Sequence, residues 1–448
     1  MQTCSHQQVC LQGRGIPVLP AQLRGSSIRH VRRTRVGASS EARPSEVPEV
    51  ERKVSSAEIA PLVERPLERM LSPLRTVTRP LPRVLILHTG GTLGMDPTAS
   101  FECEEAPNGS VSTPGAVKAR TPRYLGVSTG GGGAGLAPST MLANVLGVVP
   151  ELQRFSNVDL QVVTNRDSSR VGPGEWVDIA RILHANRLHY DAFMVIHGTD
   201  TMAYTAAALS LMLRGFNKPV VMTGSQLPLT APRTDARQNL LDAIQCATAP
   251  FAPGAQRAEL REVAVCFGGR LLRGNRAQKV HTSSYQAFDS PGYPHLAQLG
   301  IDVEWNERAL LRPEGGYRPR FKLHPGVMRV PVVPGCDPRT VYGDVAARGV
   351  RGVVLEVFGT GNLPDTDDFG WVPWLRQQTE AGVHVAVVSQ CSAGALQPAL
   401  YASGGWLAQL GERVEAAPRM TPECAAVKLM LCCAHPGLGV GEPIAGEL

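Results

Sequence analysis

The chain has 448 residues, 43% of them apolar and 19% charged, which is enough for two domains with substantial cores. No apolar run approaches the ~18 residues needed to span a bilayer, so no membrane partner is expected. The formal net charge is +6, but residues 1–38 hold six arginines and no Asp, Glu or Lys, and the remainder is balanced at 39 residues of each sign. The basic excess is therefore a leader rather than a nucleic-acid-binding face.

That leader (Arg14, Arg24, Arg29, Arg32, Arg33 and Arg35, with Ser26, Ser27, Ser39 and Ser40) lacks the continuous apolar core of a secretory signal. Its composition is that of an organelle transit peptide, with Val36-Gly37-Ala38 as a cleavage neighbourhood. Its shape resembles algal plastid leaders, so a chloroplast address is expected, with mitochondrion or a cytosolic tail as alternatives. Ten cysteines lie scattered at 4, 10, 103, 246, 266, 336, 391, 424, 432 and 433. There is no CxxC pair and no histidine cluster at ligand spacing, so they read as reduced thiols filling the core, and neither a metal site nor a disulfide framework is expected.

Residues 39–82 are rich in Pro, Glu, Arg and Ser and read as a poorly ordered linker. The folded body opens near Arg83. Strand-length apolar runs over 84–88, 158–163, 192–196, 219–223 and 262–267 alternate with helical patterns over 140–149, 174–188, 201–214 and 234–248. Residues 96–135 interrupt the alternation just after its first strand with prolines, Asn108-Gly109-Ser110 and the run Gly130–Gly133, and read as a lid or a tolerated surface insertion. Residues 286–325 show no long period and read as a connector. A second alternation follows, with strands over 327–333, 352–358 and 383–389 and helices over 338–347, 370–381 and 421–433. The pattern predicts an α/β fold with a larger N-terminal domain (83–285) built on a parallel or mixed sheet with flanking helices, and a smaller α/β domain (326–448) beyond a hinge. Ligand-binding loops are expected at the strand C-terminal ends.

Two of those ends carry threonines. Val84-Leu85-Ile86-Leu87-His88 runs into Thr89-Gly90-Gly91-Thr92, where glycines let backbone approach a ligand closely. Phe193 to Ile196 runs into His197-Gly198-Thr199-Asp200-Thr201 at the start of an alanine-rich helix. A hydroxyl beside a carboxylate at a helix start offers a nucleophile or its helper, together with N–H donors for an oxyanion. Each residue also has a plainer role: Thr92 or Thr201 as an N-cap, Asp200 as a carboxylate favoured by the helix dipole, Lys279 as a solvated charge among Arg270, Arg273 and Arg276.

Four stretches, TGGTLGM at 89–95, HGTDTMAYTAAALSLML at 197–213, TGSQLPL at 223–229 followed by Asp235 and Asn239-Leu240-Leu241, and RGNRAQK at 273–279, resemble the bacterial-type L-asparaginase family, above all its type I branch. The resemblance runs on through Gly359-Thr360-Gly361-Asn362 and Met420-Thr421-Pro422-Glu423, covering about 83–435. It implies an amidohydrolase that converts L-asparagine, and to a lesser extent L-glutamine, without a metal or organic cofactor, working as a homodimer or homotetramer. Thr92 is the nucleophile candidate, and a free hydroxyl needs a basic neighbour. The resemblance assigns Thr199, Asp200 and Lys279 to a triad, in which a desolvated Lys279 held by Asp200 could relay a proton through the Thr199 hydroxyl. Covalent acyl-enzyme and direct attack by water both stay open.

Ser168 and Ser169, in Asp167-Ser168-Ser169, match the family's loop for the substrate α-carboxylate. Asp200 is the acidic partner for the α-ammonium, and Asn362 would approach the cleft from a neighbouring subunit. Arg170 departs from the acidic residue usual at that place. Leu136, within Gly135-Leu136-Ala137-Pro138, stands at the expected lid-tyrosine position, with Tyr124 as a possible substitute. A catalytically silent amino-acid sensor is the alternative those departures suggest. A tRNA-dependent amidotransferase subunit is a third reading, which expects a small barrel that residues 39–82 do not spell out.

Overall fold

The computed structural model describes residues 80–94, 147, 149–312, 315–400 and 402–448, all within the compact unit Thr78–Leu448. The leader, nearly all of the linker, the glycine-rich insert with Tyr124 and Leu136, and most of the helix expected over 140–149 lie outside the described residues.

The first half of this unit contains strands β1 (Arg83–Gly90), β2 (Asn157–Arg166), β3 (Ala192–Ile196), β4 (Val220–Thr223), β5 (Val263–Phe267), β6 (Arg270–Arg273), β7 (Gln278–Lys279), β8 (Phe288–Asp289), β9 (Ala297–Leu299) and β10 (Val303–Trp305). Its helices are α1 (Leu152–Phe155), α2 (Pro173–Asn186), α3 (Met202–Met212) and α4 (Ala236–Thr248). One sheet of eight strands runs in the order β10-β9-β6-β5-β4-β3-β1-β2, while β7 and β8 form a separate ribbon. From β2 to β5 all pairs are parallel, as the alternation predicts, and the remaining pairs are antiparallel.

The apolar runs are buried on both faces, and the two-residue period assigns each side chain. Leu85, Leu87, Phe193, Val195, Met222 and Val265 face α2 and α3. Val84, Ile86, Met194, Ile196, Val221 and Ala264 face α1 and α4. Helix α3 buries every residue except Tyr204, the mark of a helix covered on all sides. Its second neighbour comes from the other half of the chain.

That half comprises β11 (Val327–Pro331), α5 (Pro338–Val341), β12 (Gly352–Val357), α6 (Trp371–Glu380), β13 (His384–Ser389), β14 (Val414–Ala416) and α7 (Pro422–Ala434). Its four strands pair in parallel in chain order. One face packs under Trp371, Trp374 and Trp406. The other contributes Val354, Ala386 and Val388, with Cys424 to Cys432 of α7, to the same apolar cluster as β1 and α3. The two sheets thus share a core through α3 and α7, where the sequence suggests a hinge.

Two expectations change. Residues 286–325 contain strands as well as connector: β9 and β10 extend the large sheet past β6. The turn that creates this edge is Gly268-Gly269, whose φ angles of 57° and 75° suit a tight hairpin and reverse the chain after the last parallel strand. The helix expected over 338–347 ends at Val341, two residues before Gly343 takes φ 60°; a left-handed residue there closes the helix.

The β7–β8 ribbon is held by Phe288, fully buried and paired in register with Lys279, its ring 5.1 Å from that of Phe267. Phe288→Ala is expected to cost about 3–5 kcal/mol in urea unfolding. A loss below about 1 kcal/mol would show that the ribbon is anchored elsewhere.

Candidate active site

The parallel strands lie in the spatial order β2-β1-β3-β4-β5, so the chain reverses its direction of travel across the sheet between β1 and β3. A crevice opens at the carboxyl ends of strands at such a switch point. Both threonine corners sit there.

Three backbone segments meet in this crevice with almost no side chain between them. Gly90 and Gly91 have φ 106° and 92°, conformations that only glycine adopts readily. A Cβ on Gly90 would lie 2.2 Å from the Arg166 carbonyl oxygen, and one on Gly91 would lie 2.5 Å from Cα of Gly198. A Cβ on Gly198 would in turn lie 2.7 Å from the Ser168 side chain. The ends of β1, β2 and β3 are therefore pressed together, and Thr92, Ser168 and Thr199 ride on adjoining turns. The Thr89 hydroxyl donates to the Ile196 carbonyl at 3.0 Å and ties the first corner to the second.

Thr92 opens a short 3-10 turn, Thr92–Gly94, and is half-buried. Thr199 is buried, whereas the Asp200 side chain is 62% exposed at the mouth of the crevice. Lys279 arrives from the β7–β8 ribbon. Its ammonium donates to Thr199 Oγ1 at 2.9 Å and to Asp200 Oδ1 at 2.6 Å. The adjacent Thr199 and Asp200 and the distant Lys279 thus form one hydrogen-bonded cluster.

Ser168 is buried, and its carbonyl accepts from the Thr201 hydroxyl at 2.6 Å. Thr201 stands at the N-cap of α3 but makes no side-chain cap bond; its hydroxyl serves the Ser168 turn instead, correcting its reading as a cap. Ser169 is exposed, its N–H donating to the Asp167 carboxylate at 2.8 Å. Asn362 lies on the other sheet, in the turn after β12, where its backbone pairs with Phe358.

Further groups hold the crevice without being legible as site residues. Asp235 accepts from the N–H groups of Gln226 and Leu227 and from Asn239 Nδ2, each within 3.1 Å. Gln226 donates its side-chain amide to the carbonyls of Thr282 and Ser284, both at 3.0 Å. The loop after β4 thereby grips the segment that follows Lys279, which explains why TGSQ, Asp235 and Asn239 occur together. Arg273 and Arg276, which neighbour Lys279 in sequence, are buried: Arg273 pairs with Glu262 at 2.6 Å.

Two histidines back the corners. His197 holds its own corner rigid, Nδ1–H donating to the Gly198 carbonyl at 2.7 Å and Nε2 accepting from the Thr205 hydroxyl at 3.0 Å. Burial lowers His197 to about 4, against the opposing pull of its bond to Gly198, and burial lowers His88 of β1 to about 4 as well. Both are neutral near pH 7, which suits a structural role and no charge change at the cluster.

The fold and the site define a two-sheet α/β protein with a threonine–lysine–aspartate cluster at its topological switch point. Residues 125–311 match the family model "Asparaginase, N-terminal", and residues 326–437 match "Glutaminase/Asparaginase C-terminal domain". The chain is 35% identical over 298 residues to L-asparaginase 1 of Escherichia coli (strain K12), covering 64% of this chain and 82% of that protein. It is 34% identical over 367 residues to the 60 kDa lysophospholipase of Mus musculus, covering 80% of this chain but only 60% of the length of that relative. Among solved structures, L-asparaginase I from Vibrio cholerae O1 biovar eltor superposes with a TM-score of 0.65 at 28% identity, covering 82% of this chain and 99% of that one. The chain belongs to the asparaginase family, and the two bacterial relatives are type I L-asparaginases. The first family-model match begins after Thr92, so the nucleophile candidate rests on the corner geometry and the TGGT motif.

A histidine whose folded pKa lies below its ordinary 6.5 makes the folded state less stable as pH falls from 6.5 towards 4, because the unfolded chain takes up the proton first. His88→Gln is therefore expected to shrink the loss of unfolding free energy between pH 7 and pH 5 by about 2 kcal/mol. An unchanged acid loss in the variant would show that His88 is protonated in the fold.

Proposed function

We propose that the protein hydrolyses L-asparagine to L-aspartate and ammonia, with Thr92 as nucleophile and Thr199, Lys279 and Asp200 as the proton relay. The observation that carries this is the Lys279 amine bonded at once to Thr199 Oγ1 and Asp200 Oδ1, on the corner whose Gly198 touches the glycine beside Thr92.

A carboxamide is stabilised by resonance and its amine leaves poorly, so hydrolysis needs an aimed nucleophile, donors for the oxyanion and a proton for the departing nitrogen. In this reading Ser168, just beyond the end of β2, takes the substrate α-carboxylate with its hydroxyl as donor. The exposed Asp200 carboxylate is placed for the α-ammonium while its other side engages Lys279. The side-chain carbonyl then falls between the two threonine corners. Thr92 Oγ1 attacks the carbonyl carbon, and its proton passes through the Thr199 hydroxyl to the Lys279 amine. The tetrahedral oxyanion meets backbone N–H groups of the glycine corners. Return of the proton to nitrogen expels ammonia, and water cleaves the acyl-threonine by the same route. Lysine suits the relay because its amine both gives and takes a proton, which arginine does not. The same reading has the protein acting as a homodimer or homotetramer, with Asn362 supplied across a subunit contact; light scattering that finds only monomer in the active enzyme would remove that part.

Ammonia release from L-asparagine, with L-glutamine run beside it, tests the proposal. Thr92→Ala and Lys279→Met are each expected to lose about 10³-fold or more in kcat, and Ser168→Ala to raise KM with a smaller change in kcat. Undiminished activity in Thr92→Ala would remove the nucleophile. Aspartate binding by the wild type with no ammonia released would instead mark a silent amino-acid sensor.

A further inference from the structure

Lys279 reaches Thr199 from a strand of only two residues, so the contact depends on whatever fixes that strand. Just upstream, the 3-10 turn Gly274–Arg276 is buried, and its polar side chains reach into the segment that follows α7. The Arg276 guanidinium, 2% exposed, donates three times: to the carbonyls of Arg419 at 2.6 Å, Gly446 at 3.0 Å and Leu448 at 2.5 Å. Asn275 Nδ2 donates to the Ala445 carbonyl at 2.9 Å. Every acceptor is main chain, and three of the four lie in 445–448, so the grip requires one particular backbone path through that segment.

Glu447 sets that path. Its side chain is fully buried, and its carboxylate accepts from the N–H groups of Ile444 at 2.9 Å and Ala445 at 2.7 Å, folding the segment around itself. Its charge is met by Lys428 of α7, which is equally buried and also donates to the Glu442 carbonyl. Neither residue belongs to the relay. A buried pair gives little net stability over apolar groups of the same volume, whereas charged hydrogen bonds are strong and directional. What the pair does supply is a fixed geometry.

We propose that Glu447, Lys428 and Arg276 are positioning residues for Lys279: the buried pair shapes the Glu442–Leu448 segment into a bracket, and Arg276 hangs the lysine-bearing turn on it. The inference rests on the reading of Lys279 as the base of the relay. The binding groups Ser168 and Asp200 stand on other strand ends, so loosening the bracket affects turnover and spares affinity.

Two full-length variants test it. Arg276→Lys keeps the charge but cannot make three divergent bonds, and Lys428→Met combined with Glu447→Met replaces the pair by apolar side chains of similar volume. Each is expected to lower kcat about 10- to 100-fold, the scale set by a displacement of about 1 Å at a reacting group, while KM for L-asparagine and the calorimetric affinity for L-aspartate stay at wild-type values. A folded variant with wild-type kcat, or one whose loss lies in KM alone, overturns the proposal. Amide hydrogen exchange on the wild-type protein decides the case even where the variants do not fold: residues 276–279 and 444–448 are expected to open as one unit, and independent opening of the two segments contradicts it. Lys279→Met measured in parallel separates the two readings. If it stays active, the relay itself fails; if it is dead while Arg276→Lys turns over normally, only the positioning role fails.

Discussion

The site depends on backbone meeting backbone without side chains in between. Gly91 against Gly198, and Gly198 against Ser168, are contacts that any larger residue would push apart by the thickness of a methyl group. Because they close, three strand ends converge, and the turns that carry Thr92, Ser168 and Thr199 adjoin one another. The positive φ of Gly90 and Gly91 matters for the same reason, since it turns the chain sharply out of β1 and lays Gly91 against Gly198. A catalytic constellation tolerates errors of only about 0.5 Å, and close-packed backbone on a buried parallel sheet meets that demand better than loops held by side chains.

The rest of the molecule makes that contact rigid and supplies what the strand ends lack. The parallel strands are covered on both faces, and α3, which begins right after Thr201, is enclosed between the sheet and α7. The second sheet is thereby part of the platform that fixes the Thr199–Asp200 corner. The one amine of the cluster comes from outside the large sheet. Lys279 is delivered by the β7–β8 ribbon, clamped by Phe288 from below, by the Gln226 amide on the segment after it and by Arg276 on the turn before it. Exposure is graded across the cluster: Thr199 is shielded, and Asp200 opens to solvent.

Much of this was legible in the chain. The runs at β1, β3 and β5 are uninterrupted and apolar, which is what burial on both faces requires, so their positions and the parallel sheet followed from the sequence alone. The strands from β6 to β10 were not, because they are two to four residues long, half polar and stabilised by pairing at an edge; only Gly268-Gly269 between two apolar runs signalled the reversal. Thr92, Thr199, Asp200 and Lys279 were picked out by motif, yet a motif states only that residues co-occur. Thr201, plausible as a cap, gives its hydroxyl to Ser168, and Arg273 and Arg276, beside Lys279 in sequence, are buried anchors. Their partners, Glu262 and the Ala445–Leu448 backbone, have no sequence signature, since a main-chain acceptor can be any residue.

A crystal structure of the protein with L-aspartate bound tests the central claim most directly. The account predicts the α-carboxylate against Ser168, the α-ammonium against Asp200, and the side-chain carboxyl carbon about 3–3.5 Å from Thr92 Oγ1, with the Lys279–Thr199 bond intact. Aspartate bound elsewhere, or bound here with Thr92 turned away and Lys279 drawn out into solvent, would contradict it.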